Sequence, residues 1–316
     1  MSEIETRQVI VKAPYWDIAA NLLLPPDFDA SKTYPAVISA HPIGSCKEQT
    51  AGNVYGPALA QEGFVVIAFD ASFQGDSGGG PRWTEDPTQR VADFSHVVDH
   101  LVTLDYVDAD RIGVLGICGG GGYATNATML ERRIKALGAV VPVNYGRLMQ
   151  EGFSEFDPVK LLEQVGEQRT EEARGGDVQV NELLPASPEA AREAGAADRD
   201  VVEATDYYKT GRGGKPNGVA RMNFGSLNQA LNWDAFLRAE TMLTQPTLIV
   251  VGDQPGAFGS YRDGTELYGR IAASRDRELV VAEGYSHYDL YDQPEPVKIA
   301  LDALIPFYRK HLGQAA

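Results

Sequence analysis

The sequence predicts an α/β fold with a mostly parallel central sheet, helices on both of its faces, and a helical cap inserted late in the chain. Three observations lead there. Short β-rich runs alternate with longer helical patterns, the signature of strand–helix–strand units. The run Phe64 to Phe69 is apolar without interruption, as a strand buried on both faces requires. The alternation then stops from about Arg147 to Asp234 and resumes afterwards. At 316 residues the chain is long enough to bury a large core.

The first two strands read as a hairpin, around Arg7 to Val11 and Ile18 to Leu24, followed by a loop through Pro25-Pro26 and Asp27 to Lys32. Ala36 to Ala40 is the third strand and leads into His41-Pro42-Ile43-Gly44-Ser45. A helix over Ala51 to Gln61 is expected to end at Gly63, where a left-handed cap suits glycine. After Phe64 to Phe69 and Asp70 comes the glycine-rich loop Gly75 to Gly80, then a helix over Pro87 to Leu104. Ile112 to Leu115 is a central strand; a glycine-dense turn, Gly116 to Gly122, leads from it into a small-residue helix through Met129. Ala136 to Val141 is the next strand.

The segment that follows is acid-rich and is expected to hold helical pieces, Pro158 to Gln168 and Ser187 to Glu193, with no buried strand. Its aromatic residues, among them Tyr207, Tyr208, Phe224 and Trp233, with Phe236 just beyond it, give it something to bury, so an ordered cap is expected in place of a disordered insert. The core is therefore residues 1–146 and 235–316, and the cap is 147–234. The core resumes with the strand Pro246 to Val251, a helix near Thr265 to Ala273, the strand Glu278 to Ala282, and a final helix from Glu295 to His311.

Composition narrows the partners. A net charge of −16 argues against nucleic acid or an anionic membrane surface, both of which need basic patches. The apolar runs are far too short to cross a bilayer. Met1-Ser2-Glu3-Ile4-Glu5 has neither the basic start nor the apolar stretch of a secretion signal, and two cysteines are too few for a disulfide framework. A cytoplasmic protein with free thiols is expected. No cluster of His, Cys, Asp and Glu has metal-ligand spacing, so neither metal nor cofactor is expected.

The most informative stretch is Arg111-Ile112-Gly113-Val114-Leu115-Gly116-Ile117-Cys118-Gly119-Gly120: a strand, a sharp Gly-x-Cys-x-Gly turn, and a helix. This resembles the nucleophile elbow of the α/β-hydrolase fold, with cysteine in the serine place. The central residue of such a bend is strained, so positions two before and two after must be nearly free of side chain; Gly116 and Gly120 meet that demand. The bend sets the sulfur at a helix N-terminus, where unpaired N–H groups and the dipole favour the thiolate. A dinucleotide-binding loop would need Gly-x-Gly-x-x-Gly on the first strand and a ribose-binding acid about 20 residues later, and neither is present.

Chain order in this fold is nucleophile, acid, histidine. His287 is the histidine that follows the last strand, in Gly284-Tyr285-Ser286-His287-Tyr288, while His96 and His100 fall mid-helix and His311 near the C-terminus. The acid belongs after the strand Pro246 to Val251, in Gly252-Asp253-Gln254-Pro255, so Asp253 is expected to hold the imidazole. A turn aspartate beside Gly and Pro also commonly bonds backbone, which is the competing reading. Asp289 and Asp292 follow His287 too closely for the usual geometry. Oxyanion donors are expected from the backbone amides of Gly119 and of Ile43, since Pro42 has no N–H. Cys46 reads as a packed thiol, and Arg212-Gly213-Gly214-Lys215 as a flexible cap loop.

Together Gly116 to Gly121, His41-Pro42, Lys47-Glu48-Gln49, Asp206-Tyr207-Tyr208 and Gly284 to Asp292 resemble the dienelactone-hydrolase-like branch of the α/β hydrolases, and within it the YcjY-like proteins and fungal polyketide transferases. The resemblance covers nearly the whole chain. It implies a Cys118-Asp253-His287 triad and ester, lactone or thioester substrates. The chain is longer than true dienelactone hydrolases, carries a cap they lack, and has no match to their substrate-carboxylate arginines. The expected activity is acyl hydrolysis of a small molecule through an acyl-cysteine. Its rivals are transfer of the acyl group to an alcohol or amine, and a non-catalytic ligand-binding protein, which predicts a missing catalytic member.

Overall fold

Eight strands form one sheet in a computed structural model that describes residues 3–151, 157–274 and 276–313. In chain order they are β1 (Glu5–Val11), β2 (Ile18–Leu24), β3 (Tyr34–Ala40), β4 (Val65–Phe69), β5 (Val107–Ile117), β6 (Ile134–Val140), β9 (Thr247–Gln254) and β10 (Arg277–Ser286). Two three-residue strands, β7 (Val180–Glu182) and β8 (Arg221–Asn223), make a separate antiparallel pair. The spatial order is β1-β2-β4-β3-β5-β6-β9-β10. β1 and β2 run antiparallel to each other, β2 antiparallel to β4, and every later pairing is parallel. β3 and β4 are buried along their whole length, as their continuous apolar runs require of strands covered on both faces.

The covering helices start where the sequence supplies caps. Asp86 accepts the amides of Thr88 (2.9 Å) and Gln89 (3.1 Å), and Pro87 at the first helical position has no amide to leave unpaired, so a helix begins there and runs to Leu101. It packs on the helix Gly119–Leu130. The final helix, Pro294–Leu312, sets Tyr308 and Leu312 against Gly113, and the Tyr308 hydroxyl donates to the Val114 carbonyl at 2.7 Å. The expected helix Ala51 to Gln61 divides into a π-helical turn, Thr50–Tyr55, and an α-helix, Gly56–Gln61.

Because β3, β5, β9 and β10 are parallel neighbours or near neighbours, their C-terminal ends open onto one edge of the sheet, where sites in such folds form. Residues 41–45, Cys118, the loop after Gln254, and His287 all lie there. Between β6 and β9 come the helices Tyr145–Glu151, Pro158–Ala173, Pro188–Glu193, Arg199–Lys209, Leu227–Leu231 and Ala239–Met242, with β7 and β8. The expectation of no buried strand fails in one detail: Met222 and Asn223 of β8 are buried. Three residues are too few to leave a period in the sequence. Among the described residues no helix is long and apolar enough to cross a membrane.

Candidate active site

β5 ends at Ile117, and the next residue, Cys118, takes φ 56° and ψ −125° before the helix Gly119–Leu130 begins. A side chain at either flanking glycine would block this bend. A Cβ on Gly116 would fall 2.3 Å from the Gly120 carbonyl oxygen, and one on Gly120 would fall 2.6 Å from the carbonyl oxygens of Ala40 and His41. The strained residue is held from both sides: its amide donates to Val140 at 3.0 Å, and its carbonyl accepts the amides of Gly121 (2.9 Å) and Val143 (3.0 Å).

The sulfur faces the Tyr291 hydroxyl and the backbone amides of Gly119 and Ile43, each of which favours the thiolate. Burial outweighs them, and with the negative charge of Asp200 it pushes the thiol up to about 11. The expected helix-terminus activation is therefore present in its donors but does not yield a resting thiolate. Ile43 reaches this place because His41 pins the loop. The His41 Nδ1–H donates to the Pro42 carbonyl at 2.6 Å, Nε2 accepts the Ala71 amide at 3.0 Å, and Arg90 donates to the His41 carbonyl at 2.9 Å.

His287 follows β10 directly and is 2% exposed. Nδ1 lies 2.9 Å from the Ser260 hydroxyl, and Nε2 lies 3.2 Å from the Tyr291 hydroxyl. Burial holds the imidazole well down, to about 3, so it rests neutral. Tyr291 thus stands between sulfur and imidazole. Its turn is fixed to the π-helical segment: Thr50 Oγ1 donates to the Tyr291 carbonyl and Tyr55 Oη to the Leu290 carbonyl, both at 2.7 Å.

Asp253 is not on the imidazole, and this corrects the sequence expectation. Its Oδ1 accepts the Gly284 amide at 2.7 Å and Gln254 Nε2 at 3.2 Å. Asp253 still belongs to β9, so its carboxylate meets the neighbouring backbone of β10 where the β9–β10 register shifts between Ala282 and Ser286. Asp289 accepts the Ser286 amide, and Asp292 pairs with Arg212 at 2.8 Å. Arg212 also donates to the Tyr288 carbonyl at 2.8 Å, so the loop read as flexible is tied to the turn carrying His287. The structure brings Cys118, Gly119, Ile43 and His287 together. It adds Ser260 and Tyr291, which sequence reasoning missed. Tyr291 carried one signal, its spacing of four from His287; Ser260 carried none.

Above the sulfur lies a cavity of about 260 Å³ with a largely apolar wall. Ile43, Val143 and Phe258 line it from the core, and Leu184, Met222 and Leu227 from the inserted segment. Tyr208 reaches it, whereas Trp233 stacks on Tyr123 at 4.9 Å between ring centres and Phe236 is wholly buried. Away from the cavity, Cys46, Glu48 and Asp70 offer ligand atoms within 4.8 Å of one another, a juxtaposition not visible in the spacing. The Lys47 ammonium already sits there, 2.7 Å from Glu48, 2.8 Å from Asp70 and 2.7 Å from Asp76. Burial pushes the Cys46 thiol up, which suits a packed thiol.

Comparison with known proteins gives the family of the chain. Residues 35–294 match the family model for the alpha/beta hydrolase fold. The uncharacterized protein YcjY of Escherichia coli is 41% identical over 303 residues, 95% of this chain and 96% of that protein. The crystal structure of the hypothetical protein PA2218 from Pseudomonas aeruginosa superposes with a TM-score of 0.86 at 30% identity, over 99% of this chain and 95% of that one. The polyketide transferase claH of Penicillium crustosum is 24% identical over 263 residues, 81% of each chain.

Proposed function

This chain belongs to the α/β-hydrolase family, and we propose that it is a cysteine-dependent acyl hydrolase acting on an ester or thioester of a small, apolar acyl group. One arrangement carries the reading: a sulfur at a strained strand-to-helix bend, faced by two backbone amides and by a hydroxyl that touches a buried neutral imidazole, on the floor of an apolar cavity. With Nδ1–H donated to Ser260 Oγ, Nε2 is free to accept a proton. The Cys118 S–H bond breaks as its proton passes to the Tyr291 oxygen, and the Tyr291 proton passes to His287 Nε2. Tyr291 is unchanged, and a thiolate–imidazolium pair remains.

The thiolate adds to the substrate carbonyl, and the amides of Gly119 and Ile43 receive the oxyanion. Collapse expels the alcohol or thiol, which takes the proton from His287, and leaves an acyl-cysteine. Water gives a proton to the neutral imidazole and adds to the acyl carbon; the C–S bond breaks, the acid leaves, and the proton returns from His287 through Tyr291 to the Cys118 sulfur. The high thiol pKa suits this order: the sulfur stays protonated at rest and is charged only when a carbonyl is present to take it. The similarity to a polyketide transferase makes acyl transfer the rival outcome.

Incubation with a hexanoyl-N-acetylcysteamine thioester, with and without an added primary amine, separates the two. Free hexanoic acid in both mixtures, abolished by Cys118→Ala, supports hydrolysis. Accumulating amide supports transfer. Turnover that survives Cys118→Ala contradicts both.

A further inference from the structure

The His287 ring has a hydroxyl on Nδ1 where a hydrolase of this family would have a carboxylate, and in the mechanism above that hydroxyl's own proton has no acceptor among the described residues. A candidate lies on the inserted segment. Asp200, in the first turn of the helix Arg199–Lys209, is 1% exposed. Its Oδ2 accepts the Phe258 amide at 2.7 Å, two residues before Ser260, while its Oδ1 is buried with no hydrogen-bond partner. Such an orphan on a charged group is costly unless something uses it. Neighbouring Asp198 is different: both its oxygens are engaged, by the amides of Val201 (3.2 Å) and Ala257 (3.0 Å). Gly256 makes room for the Asp200 carboxyl, since a Cβ there would lie 2.5 Å from Oδ1.

We propose that Asp200 is the acid of this site, a positioning residue carried by the cap that stabilises the His287 imidazolium through Ser260, in place of Asp253. When Nδ1–H donates to Ser260 Oγ, the Ser260 O–H needs an acceptor, and that acceptor is the unpaired Oδ1 of Asp200, whose other oxygen holds the Phe258 amide two residues before Ser260. The charge behind the imidazole then comes from the inserted segment, since Asp263, the buried core carboxylate in the same turn as Ser260, is engaged by Arg147 and the Asn144 amide. This rests on the acyl-cysteine reading above.

Burial dominates and raises Asp200 to about 7; the Phe258 amide lowers it, Asp198 and Glu203 raise it, and Arg199 lowers it. From the core, its charge acts on Cys118 and Tyr288. Arg147, which bonds the Phe258 carbonyl at 2.7 Å, is committed to Asp263. With the imidazole near 3 and the thiol near 11, neither of those groups changes charge around neutrality, whereas Asp200 does. Below pH 7 it is neutral and gives the imidazolium nothing; above pH 7 it is ionised and assists.

The test is the acylation rate of Cys118, read as the p-nitrophenolate burst from p-nitrophenyl acetate between pH 5.5 and 8.5, with the adduct mapped by mass spectrometry. Asp200→Asn keeps an acceptor for Phe258 and removes the charge. The wild type is expected to gain about tenfold or more through an inflection near pH 7. Asp200→Asn and Ser260→Ala should stay at the low-pH rate throughout, and Ser260→Asp in the Asp200→Asn background should restore it. An unchanged inflection in Asp200→Asn overturns the inference while leaving the acyl-cysteine intact. Should Asp200→Asn not fold, Ser260→Ala alone decides by the same criterion. No adduct on Cys118 in the wild type overturns the reading beneath it as well.

Discussion

Replacing Asp253 by asparagine separates two accounts of the site by four orders of magnitude. Were Asp253 the carboxylate that orients His287, its loss would slow acylation by about 10⁴-fold, as loss of a triad acid does. At 1.36 kcal/mol per decade that is ~5.4 kcal/mol of transition-state stabilisation. The structure gives it a smaller role, since Oδ1 receives the Gly284 amide at 2.7 Å and asparagine retains that oxygen. What is lost is the difference between a charged and a neutral acceptor on a half-buried group, about 1 kcal/mol of folding stability. A single-turnover burst with p-nitrophenyl acetate at pH 8 should therefore stay within about twofold of the wild type, with a melting temperature lowered by a few degrees. A fall beyond about 100-fold in a folded variant would refute the assignment and return Asp253 to the imidazole.

Asp200→Asn should act oppositely on stability and rate. An acid raised from 3.8 to about 7 by folding contributes stability that is fully present below pH 3.8 and lost as pH rises through 7, about 4 kcal/mol at most. Melting temperatures at pH 5 and pH 8 should show the variant gaining on the wild type at pH 8; parallel shifts at both pH values would contradict this. Tyr291→Phe removes the hydroxyl between sulfur and imidazole, and burst kinetics should slow by about 10²-fold with the fold retained; an unaltered burst would show direct transfer from Cys118 to His287. Gly116→Ala drives a Cβ to 2.3 Å from the Gly120 carbonyl oxygen, so unfolding by urea should show a loss of roughly 1–3 kcal/mol.

Much of the scaffold is legible because a parallel sheet buried on both faces leaves continuous apolar runs. Ile18 to Leu24 is read at its observed bounds, and Phe64 to Phe69 within one residue. β5 is harder to read: it begins at Val107, five residues before the apolar run, because Asp108 to Arg111 lie at the solvated entering end of the sheet. The bend at Cys118 is legible because its steric demand leaves glycines at fixed offsets. Hydrogen-bond choice at the far side of the imidazole leaves no such trace. Chain order locates the loop holding Asp253 but cannot say whether its carboxylate meets a ring or the next strand's backbone. The helix carrying Asp200 is hidden for a different reason: its buried positions, Asp200, Ala204, Thr205, Tyr207 and Tyr208, keep a helical spacing, but the stripe opens on a buried carboxylate, which reads as a solvated residue.

The sulfur is the test of the whole account. Intact-mass spectrometry of the protein after brief exposure to hexanoyl-N-acetylcysteamine should find one added hexanoyl group, mapped to the peptide bearing Cys118 and missing from Cys118→Ala. An adduct that persists in Cys118→Ala, or a wild-type protein that takes up no acyl group from that thioester or from p-nitrophenyl acetate, would contradict it.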